Sequence, residues 1–582
     1  MRKYWGLISR CRISKLESRG ITGNIFYRGE ESDFMKGAYR IGAGGVLAAW
    51  IAGSLAGTAF AASSLSKPGQ DIRDQAPQAE VSMEDNLPVR GATEEEVKFT
   101  ITNFRLEALE LDLNKKELTK ILQDGMGAGK TLANLNATIH ALTVYARQHG
   151  YPAAAAYLPS QQSKDGMVLI KLIPGHIGDV RLENHSKLKD DIAMGFVKQL
   201  KAGDIVRTKQ LETTLYTLSD ASGTRAVAVL SPGKEFGASD ITVRIEDGKG
   251  ENTILYAENY GGQATGRYRY GLQHSLYDID GTGARMQVGG MISNQDLHNY
   301  YINYETLVGR GGTTLGLGYS RMDYHLGGKF RDWRAYGRAD TISVFGQRPV
   351  YHQSDRALMV KYGYDYRKLK DDIGKFAGAA DSDKQSHSVH VGVEGSVRSG
   401  SFMTEYTATL TTGTISMDSS YAKRLGAVGG TDGAYTKMEA SAKLVQAVGH
   451  RSDLSLKLAG QLASHALDSS EQFTLGGANG VRAYPQSEGS GDMGYLATLE
   501  ARYYTDVPGL VASTYFDMGH ASYKSFQSEG MTLKGYGIGL SYSKPNDWFA
   551  RLDYARRIGG DENLSQAAKA KGRVWFMLGK IW

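Results

Sequence analysis

The stretch VHVGVEGSVR, residues 389–398, alternates apolar and polar side chains along its length. Val389 and Val391 fall on one face of an extended strand, and His390 and Glu394 fall on the other. This alternation is typical of a strand with one apolar and one polar face. Because charges stand in the middle of the polar face, the pattern fits a membrane barrel strand that faces a polar lumen. A strand of a soluble sandwich would alternate in a similar way.

Comparable stretches recur from about residue 250 to the end of the chain. Clear examples are YLATLEARYY (495–504), KGYGIGLSYS (534–543) and WFARLDYARR (548–557). We count about 16 of them, an even number of the kind that bacterial outer-membrane barrels use. The sequence therefore predicts an outer-membrane β-barrel of about 16 antiparallel strands over residues 249–582.

The composition agrees with a barrel. The 582 residues include 72 Gly and 34 Tyr but only 11 Pro. Glycine allows crowded strand faces and turns, tyrosine populates the interfacial girdles, and proline would interrupt the strand ladder. With 41% hydrophobic residues, the chain does not offer the several apolar runs of about 20 residues that a bundle of transmembrane helices requires.

Residues 1–61 have the character of an export leader. An uncharged run over 41–66, rich in Gly, Ala and Ser, has basic residues only on its N-terminal side and contains an A-x-A site at 59–61. This pattern predicts a signal peptide that is cleaved after Ala61. Two alternatives stay open. Translation could start at Met35, which would give a leader of conventional length, or the run could be an uncleaved membrane anchor.

The charge and the cysteine of the chain belong largely to this leader. Of the 68 Lys and Arg and 62 Asp and Glu residues, the leader holds nine and four, so that 59 basic and 58 acidic residues remain. The nearly neutral remainder gives no support to nucleic-acid binding. The only cysteine, Cys11, lies in the leader as well, which excludes a disulfide framework or a thiol nucleophile in the exported protein.

Two small α+β domains are predicted between the leader and the barrel. Residues 62–96, which are broken by three prolines, form a linker or a short plug region, although no plug helix can be placed there. Residues 97–175 and 176–248 each indicate the order β-α-α-β-β. In the first domain, Leu118 and Ile121 have helical spacing, and Gly150 stands where a helix-terminating glycine is expected.

No catalytic, cofactor or metal site is predicted. The segment DGMGAGKT, Asp124 to Thr131, resembles a phosphate-binding loop, but the first glycine of that motif is replaced by Asp124 and a helix precedes the segment instead of a strand. We predict a glycine-rich turn between two helices. The 13 histidines are scattered, and neither H-E-x-x-H nor G-x-S-x-G is present.

The segment FTLGGANGVRAYPQSEGSGDMGYLATLEARYY, residues 473–504, places Arg482 in a glycine-rich loop of about 20 residues between two strands. A second segment, VASTYFDMG at 511–519, places Asp517 between Phe516 and Met518. If these neighbours face lipid, Asp517 faces the lumen, where a carboxylate favours a charged partner. The loop could fold inward and bring Arg482 to Asp517. From spacing alone, an exposed loop and a hydrated lumenal Asp remain the alternative.

The order L-G-G-x-x-G-V-R-A-Y-P, S-G-D-x-G, an E-x-R strand and F-D-x-G resembles the TpsB transporters of two-partner secretion. This family belongs to the Omp85 superfamily and includes the haemolysin and haemagglutinin activation/secretion proteins. The resemblance covers residues 97–582, in order. It implies an outer-membrane barrel preceded by two POTRA domains, the polypeptide-transport-associated modules.

The resemblance also implies a barrel lock. In that family a loop Arg folds into the pore and pairs with a strand Asp, and Arg482 and Asp517 match these positions. The neighbouring positions of the two motifs are matched by Val481, Tyr484, Phe516 and Gly519, while Ala483 replaces the usual glycine. The chain ends on an aromatic residue, Trp582, which resembles the outer-membrane assembly signal. Lys580, on the same face, departs from that signal.

The function implied is transport of a protein. The periplasmic POTRA domains would capture a large exoprotein, an adhesin, haemolysin or toxin, through its N-terminal haemagglutinin-type secretion domain. The barrel, in contact with outer-membrane lipid and built by the outer-membrane assembly machinery, would pass it to the surface of a diderm bacterium. The alternatives are an Omp85-type assembly factor, a porin or gated channel, and an envelope enzyme.

Overall fold

The computed structural model describes residues 80–83 and 98–582, apart from residues 109, 163–164, 377–379, 525–529 and 561–563. The predicted leader and most of the predicted linker lie outside the described residues. The first described element is the short strand β1 (Glu80–Met83), inside the predicted linker. Among the described residues, no helix is both long enough and apolar enough to cross a bilayer.

The first small domain follows. Its elements in chain order are β2 (Phe99–Ile101), β3 (Asn103–Ala108), α1 (Lys115–Gly125), β4 (Gly127–Lys130), α2 (Leu132–Gln148), β5 (Ala155–Tyr157) and β6 (Met167–Ile173). β6 lies between β3 and β5 in a three-stranded sheet. The helices pack on this sheet through a core that includes Leu118, Leu142 and Ile170.

The glycine-rich segment between α1 and α2 differs from the predicted turn. It forms β4, which pairs antiparallel with β2 through Lys130 and Phe99. Gly127 and Gly129 have φ angles of 129° and 69°, which glycine adopts without a steric penalty. The prediction of a plain turn was wrong because a segment with so few side chains shows no strand periodicity. The ammonium group of Lys130 donates a hydrogen bond of 3.2 Å to the main-chain oxygen of Asp124, in the last turn of α1.

The second small domain has the predicted β-α-α-β-β order. Its elements are β7 (His176–His185), α3 (Asp190–Val197), α4 (Thr208–Ser222), β8 (Arg225–Pro232) and β9 (Ala238–Glu246). Phe196, Leu215 and Ile241 are fully buried in its core. The sheet order is β1-β8-β9-β7. Strand β1 thus extends this sheet by pairing in parallel with β8. In the chain, β1 comes before the first small domain, so all of that domain lies between the two paired strands in sequence.

The remainder of the chain forms a closed barrel. Its first eleven strands are β10 (Glu251–Glu258), β11 (Arg269–Tyr277), β12 (Arg285–Ser293), β13 (Leu297–Leu307), β14 (Thr314–His325), β15 (Ala335–His352), β16 (Arg356–Ile373), β17 (Ser382–Ser399), β18 (Phe402–Met417), β19 (Gly433–Val448) and β20 (Ser452–Ala463). The helix α5 (Ser420–Gly429) connects β18 to β19. Two short strands of the next loop, β21 (Phe473–Thr474) and β22 (Ser490–Gly491), pair with each other. The last five barrel strands are β23 (Met493–Tyr504), β24 (Leu510–Ser522), β25 (Met531–Ser543), β26 (Trp548–Ile558) and β27 (Gly572–Ile581).

These 16 strands close because β27 pairs antiparallel with β10, from Ile581 opposite Ile254 to Met577 opposite Glu258. The predicted fold, an antiparallel barrel of about 16 strands after two small α+β domains, is confirmed. Closure leaves no unpaired sheet edge inside the bilayer, where water could not hydrogen-bond it. Strands β15, β16 and β17 have 18 residues each, whereas β10 has eight.

The alternation in the sequence corresponds to the two faces of the barrel wall. Val391 and Leu410, which stand opposite each other on β17 and β18, are 53% and 54% exposed on the outer face. His390 points inward and lies 3.3 Å from the carboxylate of Asp365 on β16. The apolar residues of the pattern therefore contact lipid, and the charged residues line the lumen.

The second small domain contacts the barrel at the turn between β15 and β16. Nδ1 of His352 lies 2.5 Å from Oδ2 of Asp220 on α4, and the ring of His352 stacks on Tyr216. The main-chain N–H of Ser354 donates to Glu212. The loop over residues 464–492, which joins β20 to β23, leaves the barrel at the opposite end.

Substitutions on one strand test the two faces. We expect Leu410→Arg to lower the free energy of unfolding of the folded barrel by about 2–4 kcal/mol, because its charge would enter the lipid belt. Thr407 faces the lumen on the same strand and is solvent-exposed there, so Thr407→Arg should change stability little. Denaturant unfolding of the two variants in lipid vesicles compares them. Equal losses would contradict this assignment of the faces.

Candidate functional site

The loop 464–492 folds into the barrel and places its tip against the inner wall. Leu475, Val481 and Tyr484 of the loop are buried in one apolar cluster with Ala521 of β24 and Leu533 of β25. The bend of the tip is held by a hydrogen bond of 2.8 Å from the N–H of Val481 to the main-chain oxygen of Leu475. The tip is therefore a packed part of the barrel interior.

Arg482 and Asp517 form a bidentate ion pair at this tip. Nε of Arg482 donates to Oδ2 of Asp517 at 2.9 Å, and Nη2 donates to Oδ1 at 2.8 Å. The main-chain N–H of Arg482 also donates to Oδ2, at 3.2 Å, and Thr498 donates its hydroxyl to Oδ1, at 2.9 Å. The two side chains are only 4% and 1% exposed. This parallel geometry fixes the orientation of the arginine as well as its position.

Further groups on the wall complete the surroundings of the guanidinium. Nη1 of Arg482 lies 3.3 Å from carboxylate oxygens of both Glu500 on β23 and Asp553 on β26. Asp553 also binds Arg551, with Nε to Oδ2 at 2.6 Å. The guanidinium carbon of Arg482 lies 3.1 Å from the ring centre of Tyr515, and this stacking adds a cation–π contribution.

The main chain of the tip is bound as well. Nε1 of Trp575 on β27 donates a hydrogen bond of 2.6 Å to the carbonyl oxygen of Arg482. The tip thus joins strands from β23 to β27. Glu500, Tyr515, Asp553 and Trp575 were not among the predicted site residues. The alternation of side chains in the sequence could predict that Glu500 and Asp553 face the lumen. It could not predict that they lie within hydrogen-bonding distance of the loop.

The electrostatics favour a charged arginine. Burial disfavours the cation, but the hydrogen bonds and the charge of Asp517 outweigh it, so that the pKa of Arg482 lies above its usual value. Removal of one partner from such a buried pair costs about 3–5 kcal/mol, because the other charge is left uncompensated. Within the part of the chain that the structure describes, no group of three or more His, Cys, Asp or Glu residues could hold a metal ion.

The other residues of the two predicted motifs have distinct positions. The methyl group of Ala483 packs against Gly535, where an added Cβ would lie 2.5 Å from that of Ala483. Ala483 does not adopt a positive φ angle, so the tip does not need glycine there. Gly519 allows Leu475 to approach the wall. Phe516 points outward and is exposed on the lipid face, as its place next to Asp517 in the alternation predicts.

Trp582 lies apart from the loop tip. It is half-exposed on the outer face, and its main-chain N–H donates to the oxygen of Thr253 at the start of β10. Nζ of Lys580 lies 5.3 Å from the ring centres of both Trp548 and Trp582, and 4.0 Å from Asp547. The lysine therefore stands in an aromatic and acidic setting, which suits a cation at a membrane interface.

A closed 16-stranded barrel, small α+β domains at one end and an inward-folded loop define an outer-membrane transporter of the Omp85 superfamily. Residues 237–542 match the family described as haemolysin secretion/activation protein ShlB/FhaC/HecB, and residues 99–175 match the ShlB-type POTRA domain. The chain belongs to this ShlB/FhaC/HecB family. It is a two-partner secretion transporter that carries exoproteins across the outer membrane, with its POTRA domains in the periplasm.

Related proteins cover most of the chain. The heme/hemopexin transporter protein HuxB of Haemophilus influenzae is 27% identical over 510 residues, which is 83% of this chain and 88% of HuxB. The outer membrane transporter CdiB of Dickeya dadantii is 21% identical over 462 residues, 76% of this chain and 80% of CdiB. The solved structure of CdiB from Escherichia coli matches 91% of this chain and 99% of its own, with a TM-score of 0.64 and 18% identity. This structural likeness concerns the fold.

The packing of Ala483 on Gly535 gives a test of the tip's position. We expect Gly535→Ala to push the tip from the wall, and Ala483→Gly in the same chain to restore it. The measurement is maleimide labelling of Val481→Cys, which is fully buried in the closed tip. We expect labelling to accelerate more than tenfold in Gly535→Ala and to return to the starting rate in the double variant.

Gly560→Ala is the control, because an added Cβ there meets no atom within 4 Å. If Ala483→Gly does not restore slow labelling, the methyl group added at residue 535 disturbs the pairing of the strands and not the contact with the tip. That result would contradict the expected contact between the tip and Gly535.

Proposed function

We propose that the client of this transporter is a large exoprotein, an adhesin, haemolysin or toxin, with an N-terminal haemagglutinin-type secretion domain. The POTRA domains would bind that domain in the periplasm, and the barrel would pass the chain outward. Membership of the family supports a secreted protein as the client. No cofactor and no catalytic step enters this proposal, and the energy would come from folding of the client outside the cell.

The proposed mode of capture is addition of an extended client segment to a POTRA sheet. Strand β1 supports this mode, because a segment distant in sequence already lies along the edge of β8 over four residues, from Glu80 opposite Val227 to Met83 opposite Leu230. Main-chain hydrogen bonds give such added strands their affinity, whatever the client's side chains are. The edges formed by β3, β5 and β7 are further acceptors among the described strands.

The domain boundaries also stand as a proposal: a leader over 1–61, a linker over 62–96, POTRA domains over 97–175 and 176–248, and the barrel over 249–582. The described elements fit inside these limits. The last described strand of the second small domain ends at Glu246, and the first barrel strand begins at Glu251.

The proposed role of the loop is to hold the barrel in a transport-competent state. The observation that carries this proposal is the buried bidentate pair of Arg482 and Asp517. The carboxylates that contact Arg482 lie on three separate strands, β23, β24 and β26. The arginine side chain therefore attaches the loop to a wide sector of the wall.

We expect Arg482→Ala to leave a folded barrel in the outer membrane and to reduce secretion of the client at least tenfold. Arg482→Lys should recover only part of the secretion, since an ammonium group cannot form the two parallel hydrogen bonds. The assay measures two quantities: the amount of exoprotein in the culture medium, and the amount of folded barrel in the outer membrane. The folded barrel is recognised by the change in its gel mobility on heating. Arg451→Ala, which removes an exposed arginine paired with Asp506 at the other end of the barrel, is the matched control. Full secretion by Arg482→Ala would refute the proposed lock.

We propose that Trp582 is part of the signal read by the outer-membrane assembly machinery. Trp582→Ala should lower the amount of folded barrel several-fold without changing secretion per folded barrel. Trp548→Ala removes the other ring beside Lys580 and is the control. It shows how much folded barrel is lost when the aromatic cluster is disturbed but the terminal residue is kept. An equal loss in both variants would refute a special role for the terminal residue.

A further inference from the structure

The same loop makes a second group of buried ion pairs near its beginning. Residues Ser469–Glu471 form one turn of 3-10 helix, and Asp468 caps it by accepting a hydrogen bond of 3.1 Å from the N–H of Ser470. Asp468 and Glu471 are both buried. Two carboxylates of the loop are thus removed from water within four residues, which requires cations nearby.

The cations come from three strands of the barrel wall. Nζ of Lys384 on β17 lies 2.7 Å from Oδ2 of Asp468. Nζ of Lys437 on β19 lies 3.1 Å from Oε2 of Glu471, and Arg367 on β16 pairs with the same carboxylate. All three cationic side chains are less than 10% exposed. We call these five residues the base cluster.

The base cluster and the tip occupy different sectors of the barrel and have opposite polarity. At the tip the loop contributes the cation, and strands β23, β24 and β26 contribute the carboxylates. At the base the loop contributes the carboxylates, and strands β16, β17 and β19 contribute the cations. The loop is therefore attached at two places on separate parts of the wall.

The base is also closed by hydrogen bonds that the tip lacks. Nε2 of Gln461 on β20 donates to the main-chain oxygens of both Glu471 and Asp492, at 3.0 and 3.1 Å, which joins the two ends of the loop. Asp492 in turn accepts from the N–H of Leu467 at 2.9 Å. Departure of the base would break this stem and take both loop carboxylates away from the three buried cations. Lys437 would keep Glu439 at 3.2 Å, but Arg367 and Lys384 would lose the ion pairs with Glu471 and Asp468, which is unfavourable for buried charges.

We propose that the base cluster is a fixed anchor: during transport the loop stays bound to β16, β17 and β19, and only its tip leaves the β23–β26 wall. The path of the client then opens between the tip and that wall. Asp468 and Glu471 are positioning residues in this scheme. The inference rests on the proposed role of the loop and adds to it the part that does not move.

A covalent bridge tests the anchor. Lys384→Cys with Asp468→Cys removes one ion pair, and no other cysteine remains once the predicted leader is cleaved. We expect this double variant to lose at least four-fifths of client secretion, with the barrel still folded. A short bifunctional maleimide reagent that joins the two cysteines should restore secretion, because it replaces the lost attachment. Mass spectrometry of the bridged peptide measures the joined fraction.

The outcomes separate the alternatives. If bridging leaves the variant inactive or lowers its secretion further, the base must open during transport and the anchor is refuted. If the unbridged variant secretes normally, the base cluster does not position the loop. Undiminished secretion by Arg482→Ala would refute the proposed lock. The cysteine variant in the Arg482→Ala background then decides the base cluster by itself: secretion that falls without the bridge and returns with it supports the anchor, and secretion that does not change refutes it.

Charge exchange gives a second readout. Lys384→Asp with Asp468→Lys keeps a pair of opposite charges and should recover secretion that either single substitution loses. Lys368→Gln removes a neighbouring exposed cation of β16 and is the control. Failure of the exchange to recover any secretion, together with normal folding, would contradict an attachment by charge.

Discussion

A guanidinium enclosed in a barrel lumen must be surrounded by carboxylates, and this constraint organises the wall around Arg482. Burial of an arginine is tolerated only where its hydrogen bonds and charge are matched. Asp517 supplies two parallel hydrogen bonds, and Glu500 and Asp553 contact the remaining nitrogen. The approach of the backbone also depends on small residues in the wall, since a side chain at Gly535 would meet Ala483. Charge and close packing therefore act on the same few residues.

Much of the fold could be predicted because every strand of a barrel wall has an apolar face toward lipid and a polar face toward the lumen. Each strand separates lipid from lumen, so the alternation of Val389 and Val391 with His390 is visible without any alignment. Short or glycine-rich elements carry no such contrast. Strand β1 has four residues, and two of the four residues of β4 are glycine, and neither strand was predicted. Both are strands only because a partner edge, β8 or β2, accepts them.

The sites divide in the same way. The resemblance indicated a pair of Arg482 with Asp517, and the structure brings these residues together. Asp553 and Trp575 lie 71 and 93 residues from Arg482 in sequence, and their contact depends on strand register and on the path of the loop. The base cluster was missed for a similar reason. Arg367, Lys384 and Lys437 are lumenal residues of three strands, and nothing local in the sequence marks them as neighbours of one loop turn.

The unequal strand lengths make the mouth of the barrel uneven. A strand of about 9–11 residues crosses a bilayer, whereas β15, β16 and β17 have 18 residues and β24 and β25 have 13. At the end away from the POTRA domains, the outer face of the long strands turns charged, with Arg338, Lys370 and Asp383. The wall formed by β15, β16 and β17 thus extends beyond the bilayer into water, and the wall on the other side of the exit ends lower. A chain emerging along the loop tip would meet open solvent first on the side of the shorter strands. On the other side, the extended wall would separate it from neighbouring lipid head groups.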